Sequence, residues 1–275
     1  MNQQEKQSKL GFFYRLLLAC FKFFDRKGGL IEDYYLYKNS RKHQVKILRS
    51  LSRITTGLDY FGDFLKREFF QNIHNEFHHS LKKSKKLNLT LLDDARLWNL
   101  YAFASAACKS GKVLEFGTYK GGGVLFLSDI LKDRKCKLYA FDTFIGHSSV
   151  DSAKDANQYL GDFDVSKFPD TRSRLWANEI TCVEGDVVNT ISEFESFQDV
   201  DFIHLDLDLY LPTKLVLENL DRLLRIGGIC VVDDFGNQNC PGIADAVLDF
   251  QNSDSSGNYL FITPLSAQVV IIRIK

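Results

Sequence analysis

Between residues 112 and 234, short apolar runs alternate with stretches of helical spacing, which leaves few architectures open to the chain. The strand-like runs are KVLEF (112–116), KLYAF (137–141), ITCVEG (180–185), VDFIHLDL (200–207) and GICVVDD (228–234). Between them lie GGVLFLSDILKD (122–133), VVNTISEFESF (187–197) and PTKLVLENLDRLLR (212–225), all with helical spacing. Short apolar strands that alternate with helices form a parallel sheet covered on both faces. The final stretch, YLFITPLSAQVVIIRIK, has two β-rich runs separated by PLSA and predicts a closing antiparallel pair. The expected fold is α/β: a doubly wound, mostly parallel, Rossmann-like sheet over residues 89–275, with residues 1–88 a helical N-terminal extension.

The first helix of the expected domain lies in TLLDDARLWNLYAFASAAC (90–108), with Thr90 as its cap and Asp93 and Asp94 in its first turn. Upstream, LKKSKKLN (81–88) reads as a solvated connector. His74 and His78 share a helix face, but no further ligand accompanies them and a zinc site is not expected. Leu10–Phe24 is apolar but short, and Arg15 and Lys22 interrupt it, so it does not read as a membrane span. It reads as a helix buried against the body or a subunit partner in a homo-oligomer. The alternative is an interfacial helix touching a membrane surface.

Composition adds limits. The formal net charge is zero, which argues against nucleic acid as the partner. Six scattered cysteines without a C-x-x-C pair point to a reduced, cytoplasmic setting. Cys136, Cys182 and Cys230 fall in or beside strands, where a thiol serves as a small apolar filler.

LEFGTYKGGG (114–123) joins the first strand to the next helix, where open α/β sheets bind nucleotide-like ligands. A dinucleotide loop wants glycine two residues after the first, and here that position is Tyr119. The pattern is acid-x-Gly-x-x-x-Gly: Glu115, Gly117, Gly121. S-adenosylmethionine has no pyrophosphate to accommodate, and its ammonium group suits Glu115. Asp142, at the end of the second strand, is placed for ribose hydroxyls, and Gly185 and Asp186 after the third strand for the adenine edge. The cofactor-binding candidates are thus Glu115, Gly117, Thr118, Tyr119, Gly121, Gly122, Asp142, Thr143, Gly185 and Asp186. The plainer reading is a tight turn that only packs helix on strand.

Two further acid pairs, Asp206 with Asp208 and Asp233 with Asp234, close the fourth and fifth strands. In an extended strand Asp206 and Asp208 point to one face. Four carboxylates gathered there repel one another unless a cation or shared protons compensate. Hard oxygen ligands suit magnesium or calcium. The competing reading makes one or two of them helix caps or lysine partners. His204 reads as a satisfied core histidine, and Asp201, at the strand's other end, lies outside the site.

The ordered set VLEFGTYKGGG, YAFDTFIG, GDFDVS, HLDLDLY and GICVVDDFG resembles the macrocin O-methyltransferase family over about residues 89–250. That family comprises metal-dependent enzymes that methylate sugar hydroxyls on macrolides and related natural products. The resemblance implies a class I methyltransferase fold, S-adenosylmethionine as methyl donor and a divalent metal, magnesium first. It places Asp206, Asp233 and Asp234 on the metal-binding positions and Asp208 on the general base. Two departures stand out: Ile145 occupies a position usually held by an acid, and the loop from His147 to Leu160 lacks the family's prolines. Both bear on the acceptor, a small molecule or glycan. Rival readings are a catechol-type O-methyltransferase, a non-catalytic descendant that binds a nucleotide or a partner, and a nicotinamide oxidoreductase. Helix Leu91–Phe103 and the loop after Asp142 are the expected lid.

Overall fold

The computed structural model describes residues 74–264 and 266–275. Residues 10–24, and with them the reading as a buried or interfacial helix, lie outside that range. Helices of eight residues or more are α1 (Asn75–Leu87), α2 (Asp94–Ala107), α3 (Gly122–Ile130), α4 (Asp170–Ala177), α5 (Tyr210–Glu218) and α6 (Pro241–Gln251). The strands are β1 (Lys112–Phe116), β2 (Lys137–Asp142), β3 (Ile180–Glu184), β4 (Val200–Leu205), β5 (Leu224–Val232), β6 (Tyr259–Ile262) and β7 (Val269–Arg273). No helix among the described residues is long and apolar enough to cross a membrane.

The seven strands form one sheet in the order β3-β2-β1-β4-β5-β7-β6. Strands β1 to β5 run parallel, while β7 pairs antiparallel with β5 and with β6. The strand order reverses between β1 and β4, and the crevice beyond their carboxyl ends is where such sheets bind ligands. This is the class I Rossmann-like methyltransferase fold, and the closing antiparallel pair forms as the sequence predicts.

Both sheet faces are buried under helices. One layer joins Val113, Phe202 and Val231 to residues of α1, α2 and α3; the other joins Leu114, Ile203 and Cys230 to α5 and α6. This is the period-2 alternation of a strand packed on both sides.

Several local expectations change. The lysine-rich run is not a connector. It is the second half of α1, with Leu81 and Ser84 buried and the lysines outside. Helix α2 begins three residues later than predicted: Asp93 is the N-cap, accepting from the Arg96 N–H at 2.9 Å, and Thr90 Oγ1 instead accepts from Leu92 N. Strand β5 starts at Leu224, four residues before the run GICVVDD, so Gly227 and Gly228 lie within it. The segment 187–197 winds into a four-residue helical turn and a 3₁₀ turn. His74 stacks edge-on against Trp98 at 4.9 Å, and neither it nor His78 belongs to a metal-capable group among the described residues.

Two buried contacts carry expected consequences. Phe77 of α1 is fully buried, with its ring 5.1 Å from Trp98, 5.4 Å from Tyr101 and 6.2 Å from Phe126. Phe77→Ala should therefore cost about 3–5 kcal/mol in urea unfolding. At the opposite edge of the sheet from the acid pairs, Asp201 accepts from Lys109 N and Gly111 N, both at 3.0 Å, and from the Arg225 guanidinium. Burial alone would raise its pKa, but the bonds from Arg225, Lys109 and Gly111 outweigh it and hold the carboxyl below the usual range. A depressed folded-state pKa gives stability that is present above the unfolded pKa and lost as pH falls through the folded one. Asp201→Asn should unfold about 1–3 kcal/mol more easily at neutral pH and show a shallower decline toward acid.

Candidate active site

The strands stop level with one another, and their first loop residues extend the ladder. Gly117 N donates to Phe141 O, Asp206 N to Phe116 O, Asp233 N to Leu205 O and Gly185 N to Asp142 O, all at 2.8–3.0 Å. The five loops that carry the predicted site residues therefore leave the sheet along one edge. They enclose an open cleft of about 410 Å³. Of the fourteen residues singled out in the sequence, twelve line it; Gly121 and Asp233 do not.

The glycine loop packs against the acid loop. Gly117 sits at φ +86°, and a Cβ there would lie 1.7 Å from the Asp206 carbonyl oxygen, so no side chain fits. Tyr119 also takes a positive φ, of 49°. Its N–H donates to Asp142 Oδ2 at 2.7 Å, and its ring meets Phe163 edge-on at 5.5 Å. The other Asp142 oxygen accepts from Phe144 N at 2.6 Å. Burial pushes Asp142 up, against these backbone bonds, which lower it. Asp186 caps the turn after β3 through Val188 N and accepts from Ser148 Oγ.

Glu115 is buried beneath the cleft floor. Its Oε1 lies 3.0 Å from His204 Nδ1, while its Oε2 is buried with no hydrogen-bond partner. An orphaned carboxylate oxygen on a cleft wall is a fitting acceptor for an ammonium group. Burial raises the Glu115 pKa, and the His204 bond opposes it.

His204 departs from the reading as an ordinary core residue. It is fully buried between two acids, with Nε2 3.7 Å from Asp233 Oδ2, beyond hydrogen-bond range. Burial would lower its pKa, but the Asp233 and Glu115 carboxylates prevail and raise it to about 10. At neutral pH it is an imidazolium.

The four aspartates divide differently from the sequence pattern. Strand β4 ends at Leu205 and β5 at Val232, so all four lie beyond the strands. Asp208 and Asp234 take positive φ values of 61° and 57°, which ends the alternation that would have set Asp206 and Asp208 on one face. One cluster joins His204, Asp206 and Asp233, and the other joins Asp208, Asp234 and Cys240; within each, the ligand atoms lie within 4.8 Å. The Cys240 thiol donates to Asp208 Oδ1 at 3.0 Å. Burial, then repulsion from neighbouring carboxylates, raises Asp206 and Asp208 well above the usual carboxylate range. Asp233 goes the other way: burial would raise it, but His204 and Arg96 bring it below its ordinary value.

Arg96, absent from the sequence-based set, reaches from α2 to Asp233 Oδ1 at 3.0 Å and Asp234 Oδ1 at 3.4 Å. It is the one basic residue in the 90–108 stretch, and an isolated arginine in an apolar helix was the available signal. Cys240 and the carboxamides of Asn157, Gln158, Asn237 and Asn239 also line the cleft without having been predicted. The donor set fits a hard divalent cation. Carboxylates predominate, Asp206 and Asp208 are destabilised by mutual charge, and Asp233 Oδ2 is buried without a hydrogen-bond partner.

Comparison with known proteins agrees with this fold. A family model described as a methyltransferase domain matches residues 114–235. The solved O-methyltransferase NovP superposes with a TM-score of 0.53 at 21% identity, covering 68% of this chain and 83% of its own. CalS11, a calicheamicin methyltransferase, gives 0.53 at 20% identity, covering 86% and 93%. No curated protein sequence matches significantly. The matched segment runs from β1 through both acid pairs and includes most of the cleft residues described above.

Proposed function

We propose that the protein is an S-adenosylmethionine-dependent O-methyltransferase acting on a hydroxyl of a sugar or glycoside, with a divalent metal, magnesium first, at its acid cluster. The observation that carries this reading is the junction of two half-sites in one cleft. The glycine loop with Glu115 and Asp142 borders directly on Asp206, Asp208 and Asp234. The four carboxamides make the cleft wall polar, which supports a hydroxylated acceptor over a flat aromatic diol. The similar structure CalS11, a calicheamicin methyltransferase, is in keeping with that reading.

In this reading S-adenosylmethionine supplies a methyl group already activated on a sulfonium. Glu115 Oε2 receives its ammonium group, Asp142 its ribose hydroxyls, and Gly185 with Asp186 its adenine edge. Thr118, Tyr119, Thr143, Gly121 and Gly122 shape the surrounding loops. Asp206 and Asp233 of one cluster and Asp234 of the other are the carboxylates that would hold the metal. A divalent cation supplies Lewis acidity, which lowers the pKa of a coordinated hydroxyl. Asp208 accepts the acceptor's proton, and Cys240 holds its other oxygen oriented. The segment Leu89–Leu92 and the loop bearing His147 line the cleft rim and exclude water.

The test is methyl transfer from labelled S-adenosylmethionine to a panel of glycosides and catechols, with and without chelator. Transfer to glycosides that stops in excess chelator is expected. Transfer only to catechols, or undiminished turnover without metal, would overturn the acceptor or the metal assignment respectively. S-adenosylhomocysteine should raise the melting temperature by several degrees while NAD leaves it unchanged. Asp208→Asn should lower kcat by about 10²–10⁴-fold with S-adenosylhomocysteine affinity intact, measured by calorimetry.

A further inference from the structure

Arg96 and His204 are the charged groups at the acid cluster to which the proposed chemistry assigns no task, and of the two Arg96 reaches in from outside the sheet. Its side chain is mostly buried, at 19% exposure, and it faces an Asp233 side chain that is 0% exposed. Its position is fixed at the start of α2, where its own backbone N–H caps onto Asp93. The Nε atom lies 3.6 Å from Asp93 Oδ2 and is buried without a hydrogen bond. The arginine forgoes a bond there while Nη1 spans two acids of one strand end. The guanidinium keeps its charge at any working pH, so the link between the two acids is permanent.

We infer that Arg96 is a positioning residue and built-in counter-cation: it fixes Asp233 and Asp234 and sets how tightly the acid cluster holds a divalent metal. The inference rests on the metal-assisted reading above. The physical reason is the sum of charges in a confined space. Glu115, Asp206, Asp208, Asp233 and Asp234 converge on the cleft, and Arg96 and His204 are the cations set among them. A divalent ion entering beside Asp234 meets a guanidinium already bound to the same carboxylate. Arg96 therefore offsets part of the field that attracts the ion and keeps its binding reversible. It also ties that affinity to the rim of the cleft, because Leu89 to Leu92, just before α2, line the same space.

The test measures Mn²⁺ binding directly, by electron paramagnetic resonance of the free ion, on the full chain saturated with S-adenosylhomocysteine. Wild type is compared with Arg96→Gln, Arg96→Met and Arg96→Lys. Two neutral variants of different polarity are used so that failure of one to fold leaves the other. The neutral variants should bind Mn²⁺ at least about tenfold more tightly, because a unit charge a few ångströms from a divalent ion has been removed. Arg96→Lys should stay within about threefold of wild type, since the charge remains. S-adenosylhomocysteine affinity should be the same in all four. Unchanged or weaker Mn²⁺ binding in the neutral variants overturns the inference, as does a lysine variant that behaves like them. If S-adenosylhomocysteine binds but neither wild type nor neutral variants take up Mn²⁺, the metal reading itself falls.

Discussion

The structure depends on how negative charge is accommodated at the carboxyl ends of β4 and β5. Placing carboxylates close together in a partly buried cleft is costly unless cations or donors compensate. Here the compensation comes from distant parts of the chain. His204 lies within β4 and links Glu115 of β1 to Asp233, while Arg96 approaches from a helix more than a hundred residues earlier in sequence. The residual imbalance falls on Asp206 and Asp208, which burial and neighbouring carboxylates push well above the usual carboxylate range. A site built this way is prepared for a cationic ligand before one arrives.

Much of the architecture is legible in the sequence because strand period, glycine placement and helix spacing agree. KVLEF, KLYAF and ITCVEG become strands at almost the residues read, and the Tyr119 loop lies where a nucleotide-like ligand would meet it. Misreadings occur where tertiary packing overrides a local signal. The lysines of 82–86 suggest a solvated linker, yet Phe77 and Leu81 on the preceding turns of the same helix pack against α2 and α3. Helices α4 and α6 do not appear in the sequence reading, although Pro241 at the start of α6 is a recognisable helix-opening signal.

Within the site, residue choice was easier to read than orientation. The aspartates are conspicuous because acids are rare at the end of an apolar run. What a linear pattern cannot give is the backbone turn at Asp208 and Asp234, whose left-handed conformations regroup the acids into one cluster with His204 and another with Cys240. Such conformations in non-glycine residues concentrate at functional sites. Arg96 illustrates the other limit. Its role is set by a contact across 137 residues, and only the folded chain brings the partners together.

The close approach of Gly117 to the Asp206 carbonyl has an evolutionary consequence. Donor loop and acid loop are in backbone contact at one point, with no side chain between them to absorb a shift. The two halves of the cleft are therefore not separable modules. A lineage that reshaped the acid loop for a new acceptor would displace the donor loop with it. Change in specificity should instead be channelled into the segment 143–169 and the Asn237–Asn239 turn, which border the cleft without sharing that contact.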